Sequence, residues 1–257
     1  MTKNNFLWLA GAMLLTGCAS KTSPNWQVKE VPEIVVVRPP APATESVLHK
    51  AASVPSAPLP GEGWKSLLDG RTLAGWQVTD FTGGAKVECE EGLVVIGEGA
   101  SLSGINFTNL VPKMNYEVAL DAMKLDGSDF FCGLTFPVGD SYCSLIVGGW
   151  GGSLVGLSSL DDQDASENET TDFMKFDMNR WYRVRVRVTE TKIEAWLDDK
   201  KEVSVVTTGK RVGLRFGEIE DSKPFGVATY QTRAAIRDVK IRDLSADEAQ
   251  RIKAQKN

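Results

Sequence analysis

Residues 180–199 alternate between apolar and charged side chains more regularly than any other part of the chain. Arginines at positions 183, 185 and 187 are separated by Tyr182, Val184, Val186 and Val188. This period of two is typical of a half-buried β-strand. After a short polar segment, 189–192, the alternation resumes with Ile193, Ala195 and Leu197. The pattern predicts an antiparallel hairpin whose apolar face points into a core.

Short runs of the same kind continue along the chain, with turn residues between them. They cover residues 86–90, 93–96, 116–124, 130–136, 142–147, 154–157, 202–206, 212–215, 227–230 and 236–242. A helical signal comes only at Ser245-Ala246-Asp247-Glu248, which has the pattern of a capping box. The sequence therefore predicts an all-β, two-sheet antiparallel jelly-roll sandwich with a short C-terminal helix. The predicted domain covers residues 63–244, and residues 245–257 form a helical tail.

Residues 1–17 have the pattern of a signal peptide. Lys3 precedes an apolar run, 6–15, that is too short to cross a bilayer. The run ends in Leu15-Thr16-Gly17-Cys18, which resembles the bacterial lipobox. We therefore expect lipidation at Cys18 and a lipoprotein anchored to a membrane of the bacterial cell envelope, facing the periplasm or the exterior. An ordinary signal peptide with an incidental cysteine is the alternative.

Residues 18–62 have the composition of a tether. Eight of the eleven prolines lie here, at positions 24, 32, 39, 40, 42, 55, 58 and 60, mixed with Ala and Ser. The apolar stretch 33–38 could add a strand to a sheet edge, or it could have no partner. The only histidine, His49, also lies in this segment. The predicted domain therefore has no histidine for a metal site, a Ser-His pair or a histidine base.

Composition excludes one class of partner and leaves the cysteines ambiguous. The net charge of −5 gives no basic patch that would suggest nucleic acid. Cys89, Cys132 and Cys143 remain after Cys18, so outside the cytoplasm at least one thiol is free. Cys132 and Cys143 flank a probable turn at 137–140. Either they form a disulfide across that hairpin, or both are buried thiols.

Several phrases resemble the 3-keto-disaccharide hydrolase domain family. The first is Leu-Leu-Asp-Gly-Arg-Thr-Leu-Ala-Gly-Trp at 67–76. Further matching phrases lie at 116–121, at 179–182 through 196–197, and at 236–242. The resemblance spans residues 64–244, and it implies a concanavalin-like jelly roll that cleaves 3-keto-glycosides by elimination and hydration.

Such cleavage needs a base near the C2 hydrogen, a stabiliser for the enolate at O3 and an acid for the leaving group. A divalent metal, Ca²⁺ or Mn²⁺, could supply the stabilisation. Segments 132–137 and 142–146 lack the Arg, Glu and Gln that the family carries there. The missing residues and the absent histidine favour the alternative, a non-catalytic carbohydrate-binding or surface-interaction module of the same fold.

The acidic loop 158–175 provides the candidate catalytic residues. It carries Asp162, Asp164, Glu167 and Glu169 directly after a glycine-rich turn. A long polar loop in a compact β domain is often functional. A solvated loop, contact with substrate or catalysis, and Ca²⁺ binding are the three interpretations.

Four residues are candidates for binding a carbohydrate or 3-keto-glycoside. Trp150 lies between glycines and could present its indole face to a sugar ring, or pack under a neighbouring loop. Tyr230 and Gln231 lie where the family often places polar site residues. Arg185 could bind a sugar, but cross-strand pairing of the arginine row with Glu194 and Asp198 on a solvent face is the alternative.

Overall fold

Fifteen strands form two antiparallel sheets in residues 46–254, the part of the chain that the computed structural model describes. In chain order the strands are β1 (Lys65–Ser66), β2 (Trp76–Val78), β3 (Val87–Glu90), β4 (Leu93–Ile96), β5 (Leu102–Phe107), β6 (Tyr116–Gly127), β7 (Cys132–Val138), β8 (Ser141–Gly148), β9 (Leu154–Ser158), β10 (Asp172–Phe173), β11 (Trp181–Val188), β12 (Lys192–Leu197), β13 (Lys200–Val206), β14 (Gly226–Tyr230) and β15 (Thr232–Asp243). The helices are α1 (Val47–Ser53), the single turn α2 (Gly149–Gly152), a 3₁₀ helix (Glu218–Ser222) and α3 (Ala246–Ala254).

The two sheets confirm the predicted jelly-roll sandwich. The first sheet has the order β13-β12-β11-β6-β15-β4-β3, and β1 pairs with β15. The second has the order β10-β9-β8-β7-β14-β5-β2. Strands that follow one another in the chain often belong to different sheets, as in a jelly roll.

The predicted hairpin is β11 and β12, and its register shows why the alternation matters. Val184 pairs with Leu197 and Val186 with Ala195, and all four side chains lie in the core between the sheets. A shift of one residue would turn every arginine of β11 into that core, so the alternation fixes the register.

The structure corrects the strand prediction in two ways. Residues 212–215 were predicted as a strand, but they form a loop with one isolated bridge between Val212 and Leu160. Strands β1, β2, β10 and β5 are not predicted by the sequence pattern, and β5 is the longest of them. Its outward positions include Gly104, where an added Cβ would lie 2.5 Å from the Val227 carbonyl oxygen. A glycine in that position interrupts the alternation that marks other strands.

The outer face of the first sheet carries buried ion pairs. One of the two interpretations of the sequence placed the arginine row of β11 on a solvent-exposed face instead. Glu117 on β6 is fully buried and accepts hydrogen bonds from Arg185 (3.1 Å), Arg187 and Arg242 (3.0 Å). The guanidinium of Arg185 also lies 3.7 Å from the centre of the Trp196 ring. Desolvation by burial lowers the pKa of Arg185, and Glu117 opposes that shift.

The predicted partners of that row account for only part of its contacts. Arg187 does pair with Glu194 (3.1 Å). Asp198, however, pairs with the side chain of Arg180 (2.6 Å) and accepts a hydrogen bond from the Arg183 backbone. The side chain of Arg183 pairs instead with Asp121 on β6.

Helix α1 and the segment after it cover this face, a packing that sequence reasoning did not predict for the end of the proline-rich segment. Leu48 and Ala51 are buried against apolar residues of the first sheet. Arg237 donates hydrogen bonds to the carbonyls of Ala51 (3.2 Å) and Val54 (2.6 Å). His49 lies in this helix, with Nδ1 3.3 Å from Glu91. The predicted signal peptide, the lipidation site Cys18 and the 33–38 stretch all lie outside the described residues.

The capping box predicted at the start of the C-terminal helix is confirmed. The Ser245 hydroxyl accepts a hydrogen bond from the Glu248 backbone (3.2 Å), and the Glu248 carboxylate accepts one from the Ser245 backbone (3.0 Å). Those bonds, with Arg242, lower the pKa of Glu248 to about 2. No helix within residues 46–254 is long and apolar enough to cross a membrane.

Cys132 and Cys143 are both buried free thiols. Cys132 pairs with Val147 across the β7–β8 hairpin and Cys143 pairs with Phe136, so the two cysteines are not opposite each other. This register decides between the two interpretations in favour of thiols. Burial raises the pKa of each to about 12.

We therefore expect neither Cys132 nor Cys143 to react with iodoacetamide in the folded protein at pH 8, because the thiolate is the nucleophile. The half-buried Cys89 should react slowly, and all three should react in guanidinium chloride. Mass spectrometry of tryptic peptides measures this directly. Rapid native labelling of Cys132 or Cys143 would contradict the burial described here.

Candidate functional site

The outer face of the second sheet carries a small apolar cluster of its own. Leu102 on β5, Ile146 on β8 and Tyr230 on β14 belong to it. They point outward because their neighbours along each strand fill the core: Ile105, Leu145 and Val227. The cluster therefore forms an apolar floor outside the sandwich.

A cleft of about 380 Å³ opens above this floor. Its walls come from α2, from the acidic loop after β9 and from the segment 215–219. This volume lies within the usual range of about 300–1,000 Å³ for small-molecule sites. We refer to it as the first cleft.

Aromatic side chains lie on several sides of the first cleft. Trp150, in the glycine-rich turn, is 42% exposed and has a left-handed backbone (φ 47°). Phe216 also lines the cleft and is 94% exposed. Tyr230 stacks on Phe130 with ring centroids 6.0 Å apart. Flat, exposed rings of this kind suit the apolar faces of sugars.

Asp164 and Arg215 form the polar centre of the first cleft. The Asp164 carboxylate accepts hydrogen bonds from the Ser158 hydroxyl (2.5 Å) and from Arg215 Nη1 (2.6 Å). The Asp164 side chain is 15% exposed, whereas Arg215 is 62% exposed. The carboxylate is therefore held between two partners, while the guanidinium is open to solvent and to the cleft. Arg215 also lies 5.9 Å from the Trp150 ring centre.

The acidic loop is ordered by a buried asparagine. Asn168 Nδ2 donates to the carbonyls of Leu157 (2.7 Å) and Asp164 (2.8 Å), and its Oδ1 accepts hydrogen bonds from Thr170. The loop packs directly over Gly156, where an added Cβ would lie 2.9 Å from the Ala165 carbonyl oxygen. These contacts fix the backbone that presents Asp164.

Backbone pairing between two loops positions Arg215. Ser159 and Gly213 exchange two hydrogen bonds (2.7 and 3.1 Å), and Asp161 N donates to the Arg211 carbonyl (2.7 Å). Arg211 also pairs with Asp162 (2.6 Å). The loop that sequence reasoning assigned as a strand thus carries Arg215 to the rim of the cleft.

A second cleft of about 550 Å³ adjoins the first. The two share four wall residues: Trp150, Asp164, Arg215 and Phe216. The second cleft is more polar, because Asp162 and Glu167 face it in place of the apolar floor.

The structure brings together five of the eight predicted site residues. Trp150 and Asp164 line both clefts, Tyr230 lines the first, and Asp162 and Glu167 line the second.

The other three predicted residues lie elsewhere. Glu169 is outside both clefts and pairs with Lys210 (2.7 Å). Gln231 points away, with its amide donating to the Ala100 carbonyl (3.2 Å). Arg185 lies on the first sheet, on its outer face, because the alternation of β11 places it opposite the core.

The residues of the first cleft that sequence reasoning missed include Ser158, Asp129, Arg215, Phe216 and Glu218. Hydrogen bonds from Thr82, supplemented by Ser101, lower the pKa of Glu218. Asp129 accepts a hydrogen bond from the Gly151 backbone (2.9 Å) and so supports the turn that carries Trp150. Phe216 could have been recognised from the sequence. A Phe that stands between Arg and Gly at the end of an alternating run is not placed to fill a core, so it is a candidate for an exposed aromatic ring.

The arrangement of donors does not fit a divalent metal. Asp162 and Asp164 each pair with an arginine, and Glu218 accepts hydrogen bonds from Thr82 and Ser101. Within residues 46–254 no three His, Cys, Asp or Glu side chains converge as a metal requires. The expected Ca²⁺ or Mn²⁺ therefore has no set of ligands in the described cleft, and we assign it no role.

The sequence matches the 3-keto-alpha-glucoside-1,2-lyase-like domain family over residues 63–242. The chain belongs to this family. The matched range covers the two sheets and both clefts, and it agrees with the family that the motifs at 67–76 and 236–242 indicated.

Similar solved structures include both enzymes and binding modules. The carbohydrate-binding module CBM66 of Bacillus subtilis is 14% identical, with 66% of this chain and 96% of that one covered and a TM-score of 0.43. Domain 4 of AbnA, a GH43 extracellular arabinanase from Geobacillus stearothermophilus solved with arabinotriose, is 14% identical, with 75% and 97% covered and a TM-score of 0.46. A protein of Parabacteroides distasonis ATCC 8503 proposed to be a glycosyl hydrolase is 14% identical, with 71% and 94% covered and a TM-score of 0.46. No curated protein matches the chain.

Proposed function

We propose that the first cleft binds a 3-keto-glycoside and cleaves it by elimination followed by hydration. One observation supports this above all: exposed aromatic rings and a carboxylate–guanidinium pair line the same cleft. Aromatic rings bind a sugar face, while the pair offers a base and an oxyanion stabiliser. The family to which the chain belongs is consistent with this chemistry.

The reaction begins at C2, whose hydrogen is acidified by the neighbouring ketone. A base removes that hydrogen, and negative charge develops on the oxygen at C3. The electron pair then forms the C1–C2 double bond as the bond from C1 to the glycosidic oxygen breaks, and the leaving oxygen takes up a proton. The C3 ketone is restored in this step, and water then adds across the C1–C2 double bond of the resulting 3-keto-2-hydroxyglucal to give the free 3-keto-sugar.

In this proposal Asp164 is the base and Arg215 stabilises the enolate. Carboxyl groups of aspartate are ordinarily ionised at neutral pH, and Ser158 holds this one in a single orientation. Arg215, whose side chain is 62% exposed, would turn from Asp164 to the C3 oxygen, where a guanidinium donates charged hydrogen bonds. The protonated Asp164 then returns its proton to the leaving oxygen, so that one group acts as base and acid in turn.

Incubation of the purified protein with 3-keto-trehalose tests the proposal. We expect release of glucose and formation of 3-keto-glucose, both resolved by NMR. A 3-keto aryl glucoside gives an independent optical readout. Measurable binding of these compounds without any product would contradict cleavage.

We expect Trp150→Ala to weaken binding of the 3-keto-glycoside about 3- to 10-fold, because it removes the aromatic surface over the cleft. Isothermal titration measures the change. Phe173→Ala is the matched control, since Phe173 is 63% exposed on β10 and lines neither cleft. Equal effects of the two variants would show that Trp150 does not contact the sugar.

A non-catalytic carbohydrate-binding or surface-interaction module is the second candidate. The observation in its favour is that the lining carboxylates already have partners: Asp164 has Arg215 and Ser158, and Glu218 has Thr82 and Ser101. The lowered pKa of Glu218 is also the opposite of what a general acid needs. Binding of 3-keto-trehalose without turnover would select this candidate.

We further propose that the domain acts outside the cytoplasmic membrane, held there by a lipid on Cys18. The apolar run before Leu15-Thr16-Gly17-Cys18 supports this. Several acyl chains would give stable anchoring at about 0.8 kcal/mol for each buried methylene. Cys18→Ser should move the protein from the membrane fraction to the soluble fraction, and unchanged fractionation would contradict lipidation.

A further inference from the structure

The first and second clefts meet at the Asp164–Arg215 pair, which lines both. Trp150 and Phe216 continue from one cleft to the other as a common wall. A ligand that contacts Asp164 from the first cleft therefore has open space on the other side of the pair. With a volume of about 550 Å³, that space lies within the range of small-molecule sites.

The proposed reaction divides the substrate into a keto ring and a leaving group, and the bond between them would lie beside Asp164. The keto ring, with its hydrogen-bearing C2, would lie over the apolar floor of the first cleft. The leaving group would extend past the carboxylate that returns the proton to it. The second cleft is then the space for the leaving group, and its serines and carboxylates suit a ring that carries many hydroxyls.

Charge in the second cleft is not balanced. Asp164 pairs with Arg215 (2.6 Å) and Asp162 with Arg211 (2.6 Å), so each of these carboxylates is neutralised by an arginine. Glu167 is exposed and lines the cleft, and its carboxylate has no ion pair or hydrogen bond among residues 46–254. The lining therefore keeps an excess negative charge at Glu167, which repels an anion placed beside it.

We infer that a leaving ring in the second cleft lies beside Glu167, and that Glu167 selects against leaving rings that carry a carboxylate or sulfate. This inference rests on the proposed function. It narrows the substrates to 3-keto-glycosides whose leaving ring is neutral or cationic. A 3-keto-glycoside of a simple alcohol would occupy the first cleft alone.

Three 3-keto-glucosides test the inference, with methanol, glucose and glucuronic acid as leaving groups. Each variant is compared with the wild type on all three compounds, so that differences in intrinsic reactivity cancel. Ser166→Tyr fills the second cleft from its partly buried position in the loop. We expect it to lower kcat/KM for the glucose compound at least tenfold and to leave the methanol compound within twofold, which also shows that the variant folds.

Glu167→Gln is the second variant. In the wild type we expect the glucuronic acid compound to react roughly fivefold less efficiently than the glucose compound, in line with one exposed charge nearby. Glu167→Gln should remove most of that gap, as should 0.5 M NaCl. Glu169→Gln is the matched control, because Glu169 is in the same loop but outside both clefts, and we expect it to have no effect.

Two results would overturn the inference. One is an equal loss on the methanol and glucose compounds in Ser166→Tyr. The other is a glucuronic acid gap that persists in Glu167→Gln. If no compound is cleaved at all, the proposed function fails, and dissociation constants for the same compounds and variants then test the second cleft separately, with the same order expected.

Discussion

Glu117→Gln is expected to destabilise the protein by about 3–5 kcal/mol, the usual cost of removing one partner from a buried charged network. Glu117 is fully buried on the outer face of the first sheet, with Arg185, Arg187 and Arg242 all directed at its two oxygens. A glutamine keeps the shape but loses the charge and places an N–H group against one of these guanidinium groups. Three arginines, each at most 18% exposed, would then lack their common counter-ion.

Urea unfolding monitored by tryptophan fluorescence measures this change. Glu190→Gln is the matched control, since Glu190 is 64% exposed and pairs with Lys253 at 3.7 Å, and it should cost less than about 0.5 kcal/mol. A loss below about 1 kcal/mol for Glu117→Gln would mean that the network contributes no more than an ordinary surface pair.

Asp164→Asn is expected to reduce kcat for cleavage of 3-keto-trehalose about 100- to 10,000-fold, the range ascribed to a positioned acid–base group. Asparagine keeps an oxygen that can accept the hydrogen bond from Ser158 but cannot remove a proton from C2. Because the amide occupies almost the same volume, the dissociation constant for the sugar should change only a few-fold.

Glu169→Gln is the control here as well, since it changes a carboxylate of the same loop that pairs with Lys210 outside the clefts. It should retain kcat within about twofold. An Asp164→Asn variant with near wild-type kcat would assign the proton transfer to another group, and Asp129 and Glu218 are the remaining carboxylates that line the first cleft.

The strands were predictable where one face is buried and the other polar. Residues 93–96 form β4 as predicted, and the β11–β12 hairpin follows from its alternation. The arginine row illustrates what alternation does not show. It places Arg185 outside the core, but it does not show that Glu117 lies on the neighbouring strand or that α1 packs on the same face.

The candidate site was only partly predictable, for a physical reason. Asp164 and Trp150 were found because a polar loop and a tryptophan between glycines are unusual in a compact β domain. Arg215 was missed because its position depends on hydrogen bonds between loops that are about fifty residues apart in the chain, such as that between Ser159 and Gly213. Contacts of this kind leave no periodic signal in the sequence.

Removal of the C2 hydrogen is the central step of the account, and its exchange with solvent measures that step directly. A 3-keto-glycoside incubated with the protein in D₂O should lose its C2 proton signal in the NMR spectrum at least as fast as the glycosidic bond breaks. Asp164→Asn should bind the same compound without accelerating this loss. If the wild-type protein binds the compound while the C2 signal decays no faster than in buffer, the cleft is a binding site and the proposed chemistry is wrong.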